Sequence, residues 1–342
     1  FGFSASFINW AFCTVVCPIL AMRMAKQCRG LHFPMMITAG YTTMILGQCM
    51  GPSASLYALL ASSDHFLVDQ IGVLSQAQTT YNPMNVVLWF TLAIFTVVLA
   101  VLTTPPASEI IEFHGTMAEE DMKVQESTER TPAEILNGSH ILMYIVAAIG
   151  LIYIIYSFVT VGVLASLSLN FVIFIFITLN CLVYSTPRKF IAAIRDSMYL
   201  ATDVMIQFPF YGAIMGMMTE SGLGQMIIDA LSSFATTRTV PVITYISAAL
   251  VNLFIPSQGG QWIVQGPIVV PLALDKGCYI PDIANAFVYG DEATNLLQPL
   301  YLIPALAVVN VPLKKVWGYC AYVFVFWFVI TCVGLYFLPG LL

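Results

Sequence analysis

Apolar and polar positions along this chain do not alternate with the period of two that a transmembrane barrel strand requires. They form long apolar runs separated by short polar stretches, as in Ile141 to Val163, Phe171 to Tyr184 and Val316 to Leu338. Runs of about 20 residues suit helices crossing about 30 Å of hydrocarbon. The pattern predicts helices over 34–62, 87–103, 140–163, 170–186, 198–218, 282–309 and 316–338, seven crossings in all. Two of these are interrupted, at LGQCMGPSAS in 34–62 and at YGDEATNLLQP in 282–309, and are expected to be broken helices. The segment 243–274 differs again, with two apolar legs flanking the polar tip VNLFIPSQGGQW. Each leg, about 14 residues at about 1.5 Å per residue, is too short to cross, so a re-entrant hairpin is expected.

Irregular backbone at membrane depth persists only where protein buries it or where it lines a wet cavity. The hairpin tips and helix breaks are therefore expected to converge on one site. Helix N-termini there suit a carboxylate, and freed carbonyls and side-chain oxygens suit a cation. The candidate substrate-binding residues are Asn9, Thr14, Ser53, Ser55, Asn252, Ser257, Gln258, Gly259, Gly260, Thr294, Asn295 and Gln298. Asp291 and Glu292, acids inside an apolar run, are candidates for carrying a coupling proton or Na⁺. Asp203 is a further acid near a span end and fits an interfacial position close to Arg195.

Composition supports the membrane assignment: 59% of residues are apolar, 9% are charged and the mean hydropathy is +0.87. Basic residues cluster at Arg23, Lys26 and Arg29, at Arg188, Lys189 and Arg195, and at Lys314 and Lys315, whereas 63–86 has no Lys or Arg. The excess of positive charge on cytoplasmic loops places all three clusters inside. Segment 104–139 carries eight acids against Lys123 and Arg130, which equals the whole chain's net charge of −6. It is expected to be a solvated cytoplasmic linker between 1–103 and 140–342. Eight scattered cysteines give no metal or disulfide pattern, so no cofactor is expected beyond the coupling ion, and no nucleic-acid partner. The four histidines fall in loops or at span ends, and no Ser–His or paired-Asp motif sits in an apolar run, which argues against an enzyme. The chain starts at Phe1 within an apolar stretch, so an N-terminal truncation is expected.

An internal repeat is also visible. SASFIN (Ser4 to Asn9) matches SAALVN (Ser247 to Asn252), and the segment from Pro34 aligns without gaps to that from Pro281, pairing Pro34/Pro281, Ala39/Ala286, Pro52/Pro299, Ala58/Ala305 and Leu59/Leu306. The loop after the first block is basic and the loop after the second, DKGCYI, has only Lys276, so the two blocks are expected to have opposite orientation. The fold expected is an all-α polytopic membrane protein with inverted-topology repeats, each holding a re-entrant hairpin and a broken transmembrane helix.

The chain resembles the bacterial short-chain fatty acid transporter family along essentially its whole length. The resemblance is carried by QFPFYGAIMGMMTESGLG (Gln207 to Gly224), ALVNLFIPSQGGQWIVQGPIVVP (Ala249 to Pro271), YGDEATNLLQPLYLIPALA (Tyr289 to Ala307) and WGYC (Trp317 to Cys320). It implies uptake of butyrate- and acetoacetate-type monocarboxylates across the cytoplasmic membrane by H⁺ or Na⁺ symport, an elevator motion and a homodimer. The chain departs from the family's INWGFG at Ile8 to Cys13, which reads INWAFC, from its His at Gln261, and from its single Glu at Asp291–Glu292. A dicarboxylate or amino-acid-conjugate carrier is the alternative, followed by a channel. The absence of Arg or Lys near the tips and breaks favours a monocarboxylate.

Overall fold

A computed structural model describes residues 1–51, 54–113, 131–166, 169–223, 226, 229–230, 235–309 and 311–340. The described residues are helical, with no strands among them, and divide into two compact units, Phe1–Phe113 with Asp203–Leu342, and His114–Thr202. Among the described residues, three helices are long and apolar enough to cross a membrane: Pro83–Leu102, His140–Thr160 and Trp317–Phe337. Their outward residues are apolar, Ile94, Val101, Ile152 and Val325 among them, whereas Asn85, Asn252, Gln261 and Glu292 are buried. Apolar outside and polar inside is the distribution a lipid solvent selects.

In the first unit, helices Gly2–Ile8 and Trp10–Gln27 are separated by the single extended residue Asn9, and helices Val240–Asn252 and Gln258–Asp275 by Leu253–Ser257. The expected run 34–62 is two helices, Phe33–Gln48 and Ser55–Leu60, and 282–309 is Ile280–Asn295 and Pro299–Ala307. Proline sits in the first turn at Pro34, Pro83, Pro241, Pro281 and Pro299, where its missing N–H costs no helical bond. Pro299 also keeps Gln298 extended, at φ −78° and ψ 128°, which ends the preceding helix.

Every residue of Ile280–Asn295 is buried, so this helix forms the centre of the unit. It runs opposite to the first broken helix: the Tyr41 hydroxyl donates to the Asn295 carbonyl at 2.7 Å, and the Tyr57 hydroxyl to Asn285 Oδ1 at 2.7 Å. Its first turn is held by Asn82, whose amide donates to Asp282 Oδ1 at 2.8 Å. At the opposite end, the Ile111 N–H donates to His32 Nδ1 at 3.1 Å, and Tyr319 pairs with His32 Nε2 at 2.8 Å. Those contacts bring the basic loop after Gln27, the start of the acidic linker and the start of Trp317–Phe337 to one end of the unit.

In the second unit, His140–Thr160 packs on Leu169–Tyr184 through Met143, Ala147 and Cys181, with Gly150 against the Thr178 side chain. Arg188 pairs with Glu134. The helix expected over 198–218 starts earlier and runs unbroken as Pro187–Glu220, so the Arg188, Lys189 and Arg195 cluster lies on helix rather than in a loop. The side chain of Asp203, and residues 114–130 of the linker, lie outside the described residues.

Candidate functional site

The second tip and the second break meet around Asn252, which is fully buried at the end of its helix. Its Nδ2 lies 2.6 Å from the Asp291 carbonyl, 2.9 Å from Thr294 Oγ1 and 2.8 Å from Asn295 Oδ1. The Thr294 hydroxyl donates onward to the Ala249 carbonyl at 3.0 Å. Gln298 closes the ring by donating to the carbonyls of Asn252 at 2.8 Å and Leu253 at 2.9 Å. Carbonyls freed where both helices stop are thus satisfied by the other's side chains.

Gln258, in the first turn of the second leg, ties in the first broken helix. Its Oε1 accepts from the Leu56 N–H at 2.8 Å and Ser55 Oγ at 3.2 Å, and its Nε2 donates to Glu292 Oε1 at 3.4 Å. Asn295 Nδ2 donates to Glu292 Oε2 at 3.2 Å. Asp291 and Glu292 are both buried, and the ion pairs among the described residues, Arg188–Glu134 and Lys276–Asp275, involve neither. Three buried oxygens on these bonded residues have no hydrogen-bond partner among the described residues: Asn252 Oδ1, Asp291 Oδ1 and Gln298 Oε1. An unpaired buried acceptor costs about 1–3 kcal/mol. Two amide oxygens and one carboxyl oxygen left over in a network that also holds the Glu292 carboxyl are acceptors of the kind a proton or a small cation takes.

Of the residues named from sequence, Ser55, Asn252, Gln258, Asp291, Glu292, Thr294, Asn295 and Gln298 share this network. Asn9 instead accepts from the Phe12 N–H at 3.3 Å as the cap of Trp10–Gln27, and Thr14 donates to the Trp10 carbonyl at 2.9 Å. The first tip reaches the second through the Trp10 ring, edge-on to Tyr301 at 5.7 Å, whose hydroxyl donates to the Pro256 carbonyl at 2.7 Å. Ser53 lies outside the described residues. Ser257 is exposed and caps the Gly260 N–H at 3.4 Å. Gly259 and Gly260 do not break the helix; they lie in the first turn of Gln258–Asp275, because Pro256 and the extended Ser257 already end the tip.

Sequence reading missed Tyr41, Tyr301 and Gln265, and singled out Gln261 only as a departure from the family's His. Gln261 donates to the Ala248 carbonyl at 2.9 Å and Gln265 Oε1 at 3.0 Å, and Gln265 donates to Ser247 Oγ at 2.7 Å, zipping the two legs together. A signal for the glutamines was present: Gln258, Gln261 and Gln265 fall at helical spacing on one face of an otherwise apolar leg.

The fold and this buried polar network define a multi-pass membrane protein. Residues 1–338 match the family model described as "Short chain fatty acid transporter", and the chain belongs to that family, a family of transporters rather than enzymes. It is similar to a protein of Escherichia coli (strain K12), 30% identical over 98% of this chain and 76% of the relative. A second relative, from Haemophilus influenzae (strain ATCC 51907 / DSM 11121 / KW20 / Rd), is 27% identical over 98% of this chain and 77% of its own. Both carry the name "Putative short-chain fatty acid transporter". Among solved structures, Neisseria gonorrhoeae MtrF, reported as illuminating a class of antimetabolite efflux pumps, is similar at 18% identity. That match has a TM-score of 0.47 and covers 97% of this chain and 73% of that one.

Proposed function

We propose that this chain carries short-chain monocarboxylates of the butyrate and acetoacetate type inward across the cytoplasmic membrane, driven by a coupled proton or Na⁺. The observation that carries this reading is the buried knot of Asn252, Asp291, Glu292, Thr294, Asn295 and Gln298 with its three unpaired oxygens. Substrate sits beside the knot at the tip Leu253–Ser257, and the cation or proton sits on Asp291 or Glu292. No Lys or Arg belongs to the network, so a second carboxylate would enter without a cationic partner. This favours a monocarboxylate over the dicarboxylates or amino-acid conjugates of the alternative reading.

The scaffold is an inverted repeat whose short helix pairs are re-entrant hairpins, and a homodimer moves the substrate by an elevator motion. Two features support the repeat. The broken helices run in opposite directions. Their crossings with the hairpins also fall at equivalent positions, where Gly2 abuts the Thr43 side chain and Gly290 abuts the Tyr245 carbonyl. Ser6 lies against Gly47 just as Ala249 meets Thr294.

Purified protein in proteoliposomes tests the function. Saturable counterflow of labelled butyrate, resisted by succinate competition and made accumulative by a pH or Na⁺ gradient, is expected. Flux that is unsaturable and shows no counterflow would mean a channel and end the carrier reading.

A further inference from the structure

At the end of the first unit that holds His32 and the linker, a cavity of about 510 Å³ opens between the last turn of Pro83–Leu102 and the first turns of Trp317–Phe337. It is lined by Leu102, Thr103, Lys314, Lys315, Gly318, Tyr319 and Tyr322, with no carboxylate among them. Neither lysine belongs to the ion pairs among the described residues. Both helices beside it are long and apolar enough to cross the bilayer, and their flanks leave Leu102 and Val325 exposed. Two unpaired cations, aromatic side chains and apolar flanks meet where a span ends. A lipid phosphate sits at that depth, above its own acyl chains.

We infer that this cavity is a binding site for an anionic phospholipid, with the headgroup phosphate against Lys314 and Lys315 and the acyl chains along Leu102 and Val325. A free anion would use the lysines and leave the flanks bare, so the lipid is the occupant the whole surface fits. Tyr319 lines the cavity and also pairs with His32, so a bound lipid braces the wall to which the linker is fastened. The site is separate from the Asn252 network and does not depend on the substrate.

Native mass spectrometry of the whole chain, titrated with phosphatidylglycerol against phosphatidylcholine, tests this. Wild type is expected to retain one phosphatidylglycerol in preference to phosphatidylcholine, and glycerol 1-phosphate alone is expected not to displace it. Removing one lysine charge near the surface is expected to weaken binding about fivefold, and K314Q/K315Q about thirtyfold. Gly318→Leu keeps both lysines and narrows the cavity at its wall, and a Cβ there meets no atom within 4 Å, so the fold tolerates it. It is expected to lose the lipid to a similar extent. Unchanged phosphatidylglycerol retention in K314Q/K315Q overturns the proposal. Loss in that variant with none in Gly318→Leu also overturns it, since the lysines would then act as diffuse surface charge, and displacement by glycerol 1-phosphate alone would make the site one for a soluble anion.

Discussion

The Asn252 side chain has two N–H hydrogens and three acceptors within reach of its nitrogen, while its own oxygen has none. The residue therefore holds the second break shut with its donors and presents an acceptor to whatever binds. Asn252→Ala strands the Asp291 carbonyl and Asn295 Oδ1, and is expected to cut butyrate uptake by more than about tenfold, the effect of about 1.4 kcal/mol. Ser257→Ala removes only an exposed cap, worth about 0.5–2 kcal/mol of helix stability, and is expected to keep most uptake. Equal loss in both variants, measured at equal amounts of folded protein, would give the Ser257 hydroxyl an equal share in holding substrate. The asparagines and Gln298 were legible in sequence because polar residues in apolar runs have few other uses. Tyr41 and Tyr301 were not, since tyrosine is ordinary in membrane helices and their acceptors are carbonyls of residues far along the chain.

The elements were legible wherever hydrophobicity alone decides, as in His140–Thr160 and Trp317–Phe337. Legibility failed where charge was taken as a helix boundary. Pro187–Glu220 continues through Arg188, Lys189 and Arg195 because long basic side chains can lie along a helix with their heads in water. A second element invisible in sequence is the clasp on the linker. Ile111 is bonded through its N–H to His32 Nδ1 and through its carbonyl to the Phe33 N–H at 2.9 Å, and the Gly30 N–H donates to Glu112 Oε1 at 2.6 Å. Since Nδ1 accepts, the proton of the neutral ring is on Nε2 and is offered to Tyr319. Burial pulls the His32 pKa below its ordinary 6.5, and only 4% of the residue is exposed. The folded form therefore takes up its proton later than the unfolded chain as pH falls. The clasp's contribution is complete above about 6.5 and fades as pH drops from there through the lower folded value. Hydrogen exchange is expected to show protection of the Ile111 amide falling over that window. In His32→Phe protection should be low at every pH; a pH response that survived there would assign it to another group.

At the scale of the whole molecule, the symport proposed above needs two events tied together, and Glu292 is the residue proposed to tie them. Through Gln258 it touches the second tip and the first broken helix, and through Asn295 the second break. Glu292→Gln keeps an acceptor for Gln258 and removes the charge. Exchange of labelled for unlabelled butyrate is expected to persist while accumulation against a gradient is lost. Accumulation at the wild-type level would move the coupling away from this residue. The sequence predicted 282–309 as a broken membrane helix, but not that every face of Ile280–Asn295 is covered, because its polar residues do not mark which neighbours lie against it.

The crossings of hairpin and broken helix carry a consequence for the two halves as parts. In the first crossing the glycine is on the first helix pair, Gly2 facing the Thr43 side chain; in the second it is on the broken helix, Gly290 facing the Tyr245 backbone carbonyl and the Ala248 side chain. In the repeat proposed above, the halves are handed in this respect, like a left and a right glove. A side chain at Gly2 runs into Thr43, so a helix pair moved from the second half into the first would bring the Tyr245 Cβ against Thr43 and find no room, and the reverse transfer would take the buried Tyr245 ring from its place beside Phe328. Each half has become a mould for its own partner, and neither can serve as a spare for the other.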